Sequence, residues 1–587
     1  MKVLALILLV ISVVTASLFL YRLIKFLFEA GLSFSVGRIV GYLLYELKKA
    51  PNGAVEYMHF SIVGSVSLGI VYNLINTSYW ALLGQPTDPE LLLFTFRLIF
   101  IPLIIGLFSA LAWRVKVVRN TLNIHERLSA EGVVRKKSLV LQGFMILTIV
   151  LSIAYLMSVW FPQLIVISNL IIAADALITA TFYARPAINT MLNFDLPLHQ
   201  MTDNPTGAGK PSEFDGNQSF GHRSCVEIGT CESECPVVEA GTALSPRMFV
   251  RKLAILEEDD KDANIFGVVD QEELWSCTTC GVCDSACPVL ARKVDAIVDL
   301  RRNLVSGGGV TPAIRDALQS TYIQGNPWGE SRRMRDEWRE DLDFELEEFK
   351  SQEFLYFVGC ISSYDSRCQE VAKSLSRIFN HVGLSFGILG KEEQCCGASM
   401  RRLGEEGLFE ELVEHNKALI ETGEKVKVIA TSPHCYNTFR NEYDWEIEAY
   451  HYTTVLTELL DEIEFKNELD YRVVYHDPCY LGRYNGIYDE PRKIIEALPG
   501  VKLVEMDRKR ENSFCCGGGG GHMWIEDVEM ERRPSEIRIE EAVETSADVI
   551  AVVCPFCLSM LEDARKTTGL EGEIEVKDIS ELVSKSI

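Results

Sequence analysis

Five apolar runs, each long enough to cross a lipid bilayer as a helix, occupy the first third of the chain. They are residues 3–28, 59–83, 91–113, 139–161 and 164–183. A helix needs about 20 mostly apolar residues to span the hydrocarbon core, and the first run lacks the small-residue cleavage site of a signal peptide. The pattern predicts an all-α transmembrane bundle of five helices within residues 1–200.

Basic residues are distributed unequally among the connections between these runs. Lysines and arginines collect between the first and second runs and between the third and fourth, whereas the two other connections carry none. Loops rich in Lys and Arg remain in the cytoplasm. We therefore predict a multi-pass protein of the cell membrane whose soluble domains lie on the cytoplasmic side.

The apolar pattern changes after residue 200. Strand-length runs alternate with segments of helical periodicity, which predicts duplicated α/β layers with parallel, buried strands. In such sheets, ligands gather at the carboxyl ends of the strands. The strand-length runs are 354–358, 426–430, 471–475 and 549–553, and the helical segments between them include 370–381, 405–421, 492–498 and 534–545.

The charge and the cysteine content of the chain limit the classes of function that it can have. Residues 1–200 hold 15 Lys and Arg against 9 Asp and Glu, and the rest of the chain holds 42 against 73. So acidic a body argues against nucleic acid as a partner. All seventeen cysteines follow residue 224, and in the reducing compartment predicted here they indicate metal ligation and not disulfides.

A compact cysteine motif predicts an iron–sulfur cluster. Residues 277–288 read C-x2-C-x2-C-x3-C-P, the spacing that gives three thiolates to one 4Fe-4S cubane and the fourth to a neighbouring cluster. Four cysteines so close together, ending in Cys-Pro, favour this interpretation over a zinc site. The cysteines of the motif are Cys277, Cys280, Cys283 and Cys287.

A second motif upstream lacks one ligand. Cys225, Cys231 and Cys235 match the same template, but Ile228 stands where the second cysteine belongs. With crossed ligation, Cys235 joins the complete motif and Cys287 joins the other two. Three thiolates suit a 3Fe-4S cluster, and a decayed or labile four-iron site is the alternative.

The remaining cysteines form a duplicated unit. The second copy follows the first by 119 residues at the leading cysteine, 120 at the Cys-Cys-Gly pair and 122 at the closing cysteine, which indicates an internal repeat. Moving Cys554 back by 122 residues reaches Ser432, so the first unit has lost one thiol. The cysteines are Cys360, Cys395, Cys396 and Cys435 in the first unit, and Cys479, Cys515, Cys516, Cys554 and Cys557 in the second.

Several sequence strings carry a family resemblance. They are QCCGAS at Gln394, HDPCYLGRYNGIYDEPRK at His476, NSFCCGGGGGHMW at Asn512 and CPFC at Cys554. They resemble the cysteine-rich CCG-domain proteins, which include the catalytic subunit of heterodisulfide reductase and iron–sulfur subunits of glycolate and glycerol-3-phosphate dehydrogenases. The resemblance implies a noncubane four-iron cluster on the five cysteines of the second unit. The four thiols of the first unit would suffice for a 4Fe-4S cubane.

The second unit is predicted to carry the reactive, catalytic cluster. Only this unit keeps both thiols of its closing C-x2-C, and glycines 517–521 would let the backbone approach a bulky inorganic core. His476 precedes Cys479 and is a candidate for managing protons coupled to electron transfer, with a turn cap as the alternative. Cys368 lies outside every motif and is expected to be a small buried hydrophobe.

The predicted bundle resembles the anchors of membrane-bound oxidoreductases that pass electrons from electron-transfer flavoprotein to menaquinone. Those anchors hold haem b between histidine pairs, whereas residues 1–200 contain only His59, His125 and His199. All three are predicted at or beyond the cytoplasmic edge, so haem b is not expected. His59 is a candidate hydrogen-bond donor to the quinone. Arg97 and Asp175, costly within lipid, are candidates for an ion pair or for a proton route to the quinone.

We divide the chain into five predicted segments. They are the transmembrane bundle (1–200), an α-helical ferredoxin-type two-cluster domain (215–310), a linker (311–350), a first CCG domain (351–465) and a second CCG domain (466–587).

Three functional hypotheses follow. The first is a membrane-bound iron–sulfur oxidoreductase that passes electrons from a cytoplasmic donor, electron-transfer flavoprotein, through its clusters to menaquinone. The second is a thiol–disulfide reductase of the heterodisulfide type. The third is a non-catalytic electron-relay subunit of a flavoprotein dehydrogenase complex. The chain has no flavin fingerprint of its own, because glycines 517–521 lie inside a cysteine motif and not directly after a buried strand.

Overall fold

The computed structural model describes residues 204–587 together with Asn189 and Asn193. Residues 226, 228, 421–425, 446, 526 and 527 are the gaps in this range. The described part consists of a helical region followed by two α/β units of the same topology.

The predicted transmembrane bundle and multi-pass location need correction. Within the described residues, no helix is long and apolar enough to cross a bilayer. The longest, Ser366–His381, has 16 residues and reaches about 24 Å at 1.5 Å per residue, short of the roughly 30 Å hydrocarbon core. The apolar runs on which the prediction rested, between residues 3 and 183, lie outside the described residues.

Eight helices form the region that precedes the first sheet in the described chain. Two of them, α4 and α7, pack with α5 through Phe249, Leu253, Leu274, Ile297 and Leu300, which share one buried core. The helices are α1 (Gly216–Arg223), α2 (Thr230–Ser233), α3 (Pro236–Glu239), α4 (Pro246–Asp259), α5 (Gln271–Trp275), α6 (Val282–Ser285), α7 (Val294–Ser306) and α8 (Pro312–Gln324).

Helix α4 shows how the sequence starts these helices. Its N-cap residue, Ser245, accepts a hydrogen bond from the Met248 amide at 3.2 Å, and Pro246 occupies the first helical position. Proline there has the backbone angle that a helix needs and lacks an N–H that would otherwise be unpaired. The helix therefore begins at the residue that the capping pattern predicts.

Two four-stranded parallel sheets follow, with the orders β2-β1-β3-β4 and β6-β5-β7-β8. The four apolar runs identified in the sequence became the two central strands of each sheet, whereas the edge strands are shorter or more polar. The strands are β1 (Phe354–Phe357), β2 (Phe386–Gly387), β3 (Lys427–Ala430), β4 (Glu448–His451), β5 (Arg472–Tyr475), β6 (Lys502–Val504), β7 (Val549–Val552) and β8 (Glu575–Asp578).

Helices connect the parallel strands and cover the sheets. They are α9 (Cys360–Tyr364), α10 (Ser366–His381), α11 (Ala398–Leu403), α12 (Glu406–Ile420), α13 (Pro433–Asn441), α14 (Tyr452–Glu458), α15 (Asp489–Ala497), α16 (Pro534–Glu544), α17 (Pro555–Thr567) and α18 (Ile579–Ser586). Short 3₁₀ turns complete the described chain at Pro211–Glu213, Ile265–Gly267, Arg332–Met334, Glu337–Asp341, Gly390–Glu392, Leu460–Glu462 and Arg510–Asn512.

The two α/β units share one hydrophobic core. Helix α10 of the first unit packs against α18 of the second, and Arg367 forms a two-pronged ion pair with Glu581 across this contact, at 2.9 Å for both N–O distances. Residues 311–350 also belong to the packed body, because Trp338 and Leu346 join the same core. The units therefore pack as one layered body, with the helical region against it.

Candidate iron–sulfur sites

Several cysteines of the two CCG units lie just after the carboxyl ends of strands. Cys360 and Cys479 follow the equivalent strands β1 and β5, Cys435 follows β3, and Cys554 follows β7. Because the carboxyl ends of parallel strands meet at one edge of a sheet, these thiols gather on the same side of each unit. None of the seventeen cysteines, all of which the structure describes, forms a disulfide.

One group of four thiols lines a cavity in the helical region. The cavity holds about 300 Å³ of atom-free space, and its walls include Cys235, Cys277, Cys280 and Cys283. The Thr279 amide donates a hydrogen bond to the Cys277 sulfur at 3.3 Å. These four cysteines are the set that crossed ligation predicts for the first cluster, so the geometry fits a cubane on this set.

The other three thiols of the region form a separate group. Burial, and after it the negative charge of Cys287, raises the pKa of Cys225. Burial raises the pKa of Cys231 as well, while Lys293 acts in the opposite direction. Burial disfavours the charge of Lys293 itself, but Cys287 and Asp284 outweigh it and hold its pKa well above the ordinary value. A buried ammonium beside three thiols fits an anionic cluster there.

The two ferredoxin-type loops have the same backbone shape. Glu227 and Gly229 have φ angles of 56° and 89°, and Thr279 and Gly281 have φ angles of 51° and 74°. In both loops a short helix begins directly after the glycine, α2 in one and α6 in the other. At its described positions 227 and 229, the incomplete motif therefore keeps the backbone angles of the complete one. Residue 228, where the sequence has isoleucine, lies outside the described residues.

The first CCG unit gathers its four thiols around a second cavity. This cavity holds about 360 Å³ of atom-free space, and its lining includes Cys360, Cys395, Cys396, Cys435 and Ser432. The Gly397 amide donates to the Cys395 sulfur at 3.4 Å. Amide N–H groups that point at sulfur favour the thiolate form, so this site also fits a cluster.

Arg335 supports the first unit, although it precedes the first sheet. It pairs with Glu393 at 2.6 Å, and its Nη2 lies 3.6 Å from the Cys360 sulfur. Glu393 in turn accepts hydrogen bonds from the amides of Val358 and Gly359. Sequence analysis missed this arginine because no spacing rule links it to a cysteine 25 residues away.

The second CCG unit holds its five thiols in a continuous chain of contacts. The sulfurs of Cys516 and Cys557 lie 3.1 Å apart. Hydrogen bonds join Cys479 to Cys515, Cys515 to Cys516, and Cys554 to Cys557. Hydrogen bonds from Cys515 and Cys557 lower the pKa of Cys516 to about 5. Five thiols within one buried site supply the ligand number of the predicted noncubane cluster.

His476 lies beside these thiols. Its Nδ1 accepts a hydrogen bond from Arg538 Nε at 3.1 Å, and one of its ring nitrogens lies within 4.8 Å of the sulfurs of Cys516 and Cys557. Burial, and after it the charge of Arg538, lowers the pKa of His476 to about 3. The imidazole is therefore a neutral neighbour of the thiol site at pH 7.

The helical region and the second unit meet at their thiols. Cys280 packs with Cys479 and Cys515 in a small buried cluster, and its thiol interacts with that of Cys515. The Cys515 sulfur also lies 3.8 Å from the hydroxyl of Thr278. Tyr484 closes the contact, since its hydroxyl donates to the carbonyl of Thr279 at 2.7 Å. Two thiol groups that the sequence treats as separate motifs therefore form one continuous site.

The glycine run contacts the ferredoxin-type loop. A Cβ atom on Gly519 would lie 2.5 Å from the carbonyl oxygen of Thr278, and one on Gly520 would lie 2.5 Å from that of Cys277. Both distances are too short for any side chain. These two glycines, expected from sequence to approach an inorganic core, thus allow the approach of the neighbouring backbone loop.

Some predicted residues lie elsewhere. His59, Arg97, Asp175 and the other histidines of residues 1–200 lie outside the described residues, so the quinone-site assignments stay predictions. Cys368 is buried apart from the thiol groups, with its sulfur 3.5 Å from the carbonyl oxygen of Pro555. Arg483, also missed, lies beside Cys280, Cys479 and Cys515. Its position four residues after Cys479 was the available signal.

Comparisons with protein families agree with these sites. The cysteine-rich CCG domain matches residues 354–440 and again 473–562, and the 4Fe-4S dicluster domain matches residues 221–291. With the thiol geometry, these matches define an iron–sulfur protein.

Three relatives make the relationship more specific. The protein named Probable iron-sulfur-binding oxidoreductase FadF from Bacillus subtilis is 38% identical over 437 residues, covering 65% of this chain and 62% of the relative. EtfAB:quinone oxidoreductase from Syntrophomonas wolfei is 33% identical, covering 62% and 58%. A subunit of the dihydromethanophenazine:CoB–CoM heterodisulfide reductase from Methanosarcina barkeri is 32% identical, covering 62% and 93%.

The chain belongs to the CCG-domain iron–sulfur oxidoreductases. Its match spans about six tenths of the length of the first two relatives. The family membership confirms the predicted resemblance and the iron–sulfur character of the thiol sites.

Proposed function

We propose that the chain takes electrons from a soluble flavoprotein of the electron-transfer flavoprotein type and delivers them to a quinone, menaquinone in the first instance. The observation that carries the proposal is the contact of Cys280 with Cys515 and Cys479, which makes the ferredoxin-type site continuous with the second CCG site. The relative named EtfAB:quinone oxidoreductase supports the choice of donor and acceptor.

The proposed cofactors follow the thiol groups. Cys235, Cys277, Cys280 and Cys283 hold a 4Fe-4S cubane, and Cys225, Cys231 and Cys287 hold a 3Fe-4S cluster. The five thiols of the second CCG unit hold a noncubane four-iron cluster, and the four thiols of the first unit hold a cubane. These clusters supply one-electron carriers, while the protein residues exclude water and donate hydrogen bonds to sulfur.

The packing supports an order for the relay. Cys231 of the three-thiol group packs with Cys283 of the four-thiol group in one buried cluster. Cys280 of the four-thiol group then contacts the second CCG unit. The site of Cys235, Cys277, Cys280 and Cys283 therefore lies between the three-thiol site and the site of the second CCG unit. Electrons would pass through it in either direction.

The three-iron assignment has its own test in Ile228→Cys. An aliphatic side chain cannot supply the fourth corner of a cubane, so the wild-type protein should show an oxidised three-iron electron paramagnetic resonance signal. The variant should replace this signal with that of a four-iron cluster. Two ordinary four-iron ferredoxin signals in the unmodified protein would contradict the assignment.

A second candidate function is reduction of a disulfide. The match to the heterodisulfide reductase polypeptide from Methanosarcina barkeri, which covers 93% of that protein, favours it. In this case the five-thiol site of the second unit would deliver electrons to the sulfur–sulfur bond, which is reduced to two thiols on uptake of two electrons and two protons.

Anaerobic mixing separates the two functions. The purified full-length protein is mixed with reduced electron-transfer flavoprotein, then with a soluble menaquinone analogue or with a small disulfide, and the cluster absorbance is followed. Bleaching by the flavoprotein and recovery with the quinone analogue would support the first proposal. Recovery only with the disulfide would support the second, and no bleaching by reduced flavoprotein would refute the proposed donor.

A further inference from the structure

One arginine joins the helical region to both CCG units. Arg301, on α7, is fully buried. All five of its N–H groups donate to backbone carbonyls at 2.6 to 3.1 Å, two to Leu274 and one each to Cys277, Arg402 and Gly520. These acceptors belong to the ferredoxin-type loop, the first unit and the glycine run of the second unit.

These hydrogen bonds satisfy all the N–H donors of Arg301, but their acceptors are neutral carbonyls and do not neutralise its positive charge. Among the described residues, Arg301 has no ion pair with Asp or Glu. The next residue offers a direct comparison, because Arg302 is equally buried but pairs with Asp299 at 3.0 Å and Glu406 at 2.6 Å. Leaving a buried charge unpaired is strongly unfavourable. The positive charge of Arg301 therefore requires another source of compensation.

The acidic groups that act on Arg301 are Cys277 and Tyr480. Burial lowers the pKa of Arg301 to about 10, and the thiolate of Cys277 and the phenol of Tyr480 act in the opposite direction. An arginine side chain keeps its positive charge in proteins. The ring of Trp275 lies 5.0 Å from it, and carbonyls in the last turns of α5 and α11 supply partial negative charge. Among the described residues around Arg301, Cys277 is the ligand through which a bound cluster would bring a full negative charge.

We propose that Arg301 is the counter-charge of the cluster held by Cys235, Cys277, Cys280 and Cys283, and that it raises the midpoint potential of this cluster. One-electron reduction adds a negative charge to the site, and a fixed cation nearby favours the reduced form. The inference rests on the proposed ligand set, and it is independent of the identities of the donor and the acceptor. Arg301 acts here as a positioning residue, through Cys277.

The test compares Arg301→Gln with Arg302→Gln in the full-length protein. The measurements are iron per chain, the thermal midpoint, and the midpoint potential of each cluster signal in a redox titration followed by electron paramagnetic resonance. Arg301→Gln should lower the equilibrium constant for one-electron reduction of one four-iron cluster about tenfold, a downward shift of about 59 mV. Arg302→Gln should lower the thermal midpoint and leave the cluster potentials unchanged, since its charge is matched by carboxylates.

Two results would overturn the proposal. One is an unchanged midpoint potential in an Arg301→Gln protein that keeps its iron, and the other is an equal shift in Arg302→Gln. If Arg301→Gln does not accumulate, Arg301→Lys decides, because lysine keeps the charge. A retained potential in Arg301→Lys supports the proposal, and a tenfold fall in the reduction equilibrium overturns it. Failure of the wild-type protein to oxidise reduced flavoprotein would count against the proposed function and leave this potential shift untouched.

Discussion

The two CCG units have the same strand order but differ at one position that matters for chemistry. Ser432 and Cys554 are both the N-cap residues of equivalent helices, α13 and α17. The Ser432 hydroxyl accepts a hydrogen bond from the His434 amide at 3.2 Å, whereas Cys554 makes no side-chain cap. The first unit therefore gains a helix cap at the position where the second unit keeps a thiol.

The comparison shows that a repeat can preserve its fold while its site diverges. The serine also reaches the other unit, since Ser432 lies beside Cys554 and acts on its thiol. Despite burial, contacts with Cys557, then with the start of α17 and last with Ser432, lower the pKa of Cys554. Ser432, which stands where the first unit lacks a thiol, thus contacts Cys554, the equivalent thiol of the second unit. The difference between the two units can therefore be tested at these two equivalent positions.

The largest effect is expected from Cys554→Ser, which gives the second unit the same residue as the first. We expect loss of electron delivery from reduced flavoprotein to the quinone analogue, because the five-thiol set loses one ligand. The ferredoxin-type signals and the thermal midpoint should change little. Anaerobic turnover and electron paramagnetic resonance spectra measure these outcomes.

The controls for this experiment are Cys368→Ala and Cys435→Ser. Cys368 is buried outside the thiol groups, so its alanine variant should keep full turnover. Full turnover in Cys554→Ser together with its loss in Cys435→Ser would reverse the roles assigned to the two units.

A smaller effect is expected from Ser432→Cys, which makes the first unit resemble the second. The new thiol gives the first unit five cysteines, so the spectrum of its cluster should shift toward that of the second unit. Loss of the serine cap should lower stability by about 1 kcal/mol. Mössbauer spectra and thermal unfolding measure the two effects separately. A variant with the wild-type spectrum would show that ligand number does not determine cluster type here.

The smallest expected effect is a change in how the stability of the fold depends on pH, and it concerns another pair of equivalent positions. His451 ends β4 and Asp578 ends β8, and each caps the helix that follows. Burial lowers the pKa of His451 to about 3 and raises the pKa of Asp578 to about 7. The histidine therefore stabilises the fold above about pH 6.5, and this contribution is lost as pH falls toward 3. The aspartic acid stabilises it below about pH 3.9, and this contribution is lost as pH rises toward 7.

Between about pH 4 and 6.5 these two contributions oppose each other. Asp578→Asn removes one titration, so its thermal midpoint should fall more steeply on acidification than that of the wild type. His451→Gln removes the other, so its midpoint should fall less steeply or rise. Parallel pH profiles for wild type and both variants would show that neither group changes its protonation on unfolding.

Local patterns predicted the central strands and the grouping of cysteines. The runs at 354–358 and 549–553 became β1 and β7 because a buried strand needs a continuous apolar stretch. The crossed thiol set stays a prediction from short spacings, and its four cysteines line one cavity. The edge strands were missed because strands such as β2, with two residues, and β8, with mixed polarity, carry no clear periodicity.

Contacts between distant segments could not be predicted in the same way. Cys280 and Cys515 are 235 positions apart in the chain, and Arg301 meets acceptors in three regions, so no local pattern encodes these contacts. The transmembrane prediction failed for a different reason: it relied on hydropathy alone, and the described helices are too short or too polar to span a bilayer. Residue spacing defined ligand groups, whereas tertiary packing defined how the groups connect.

The fit of Gly519 and Gly520 against the Cys277–Thr278 backbone holds two thiol sites at a defined separation. Some carriers swing a domain between a donor and an acceptor, and their rate then depends on the frequency of that motion. Here two backbones touch at distances that leave no room for a methyl group, and a sliding or hinging motion at this contact would break the bonds of Tyr484 and Arg301. A change in the gap between the two thiol sites would therefore require these contacts to break, and in the proposed relay the distance between the two clusters would depend on this packing and not on a domain motion.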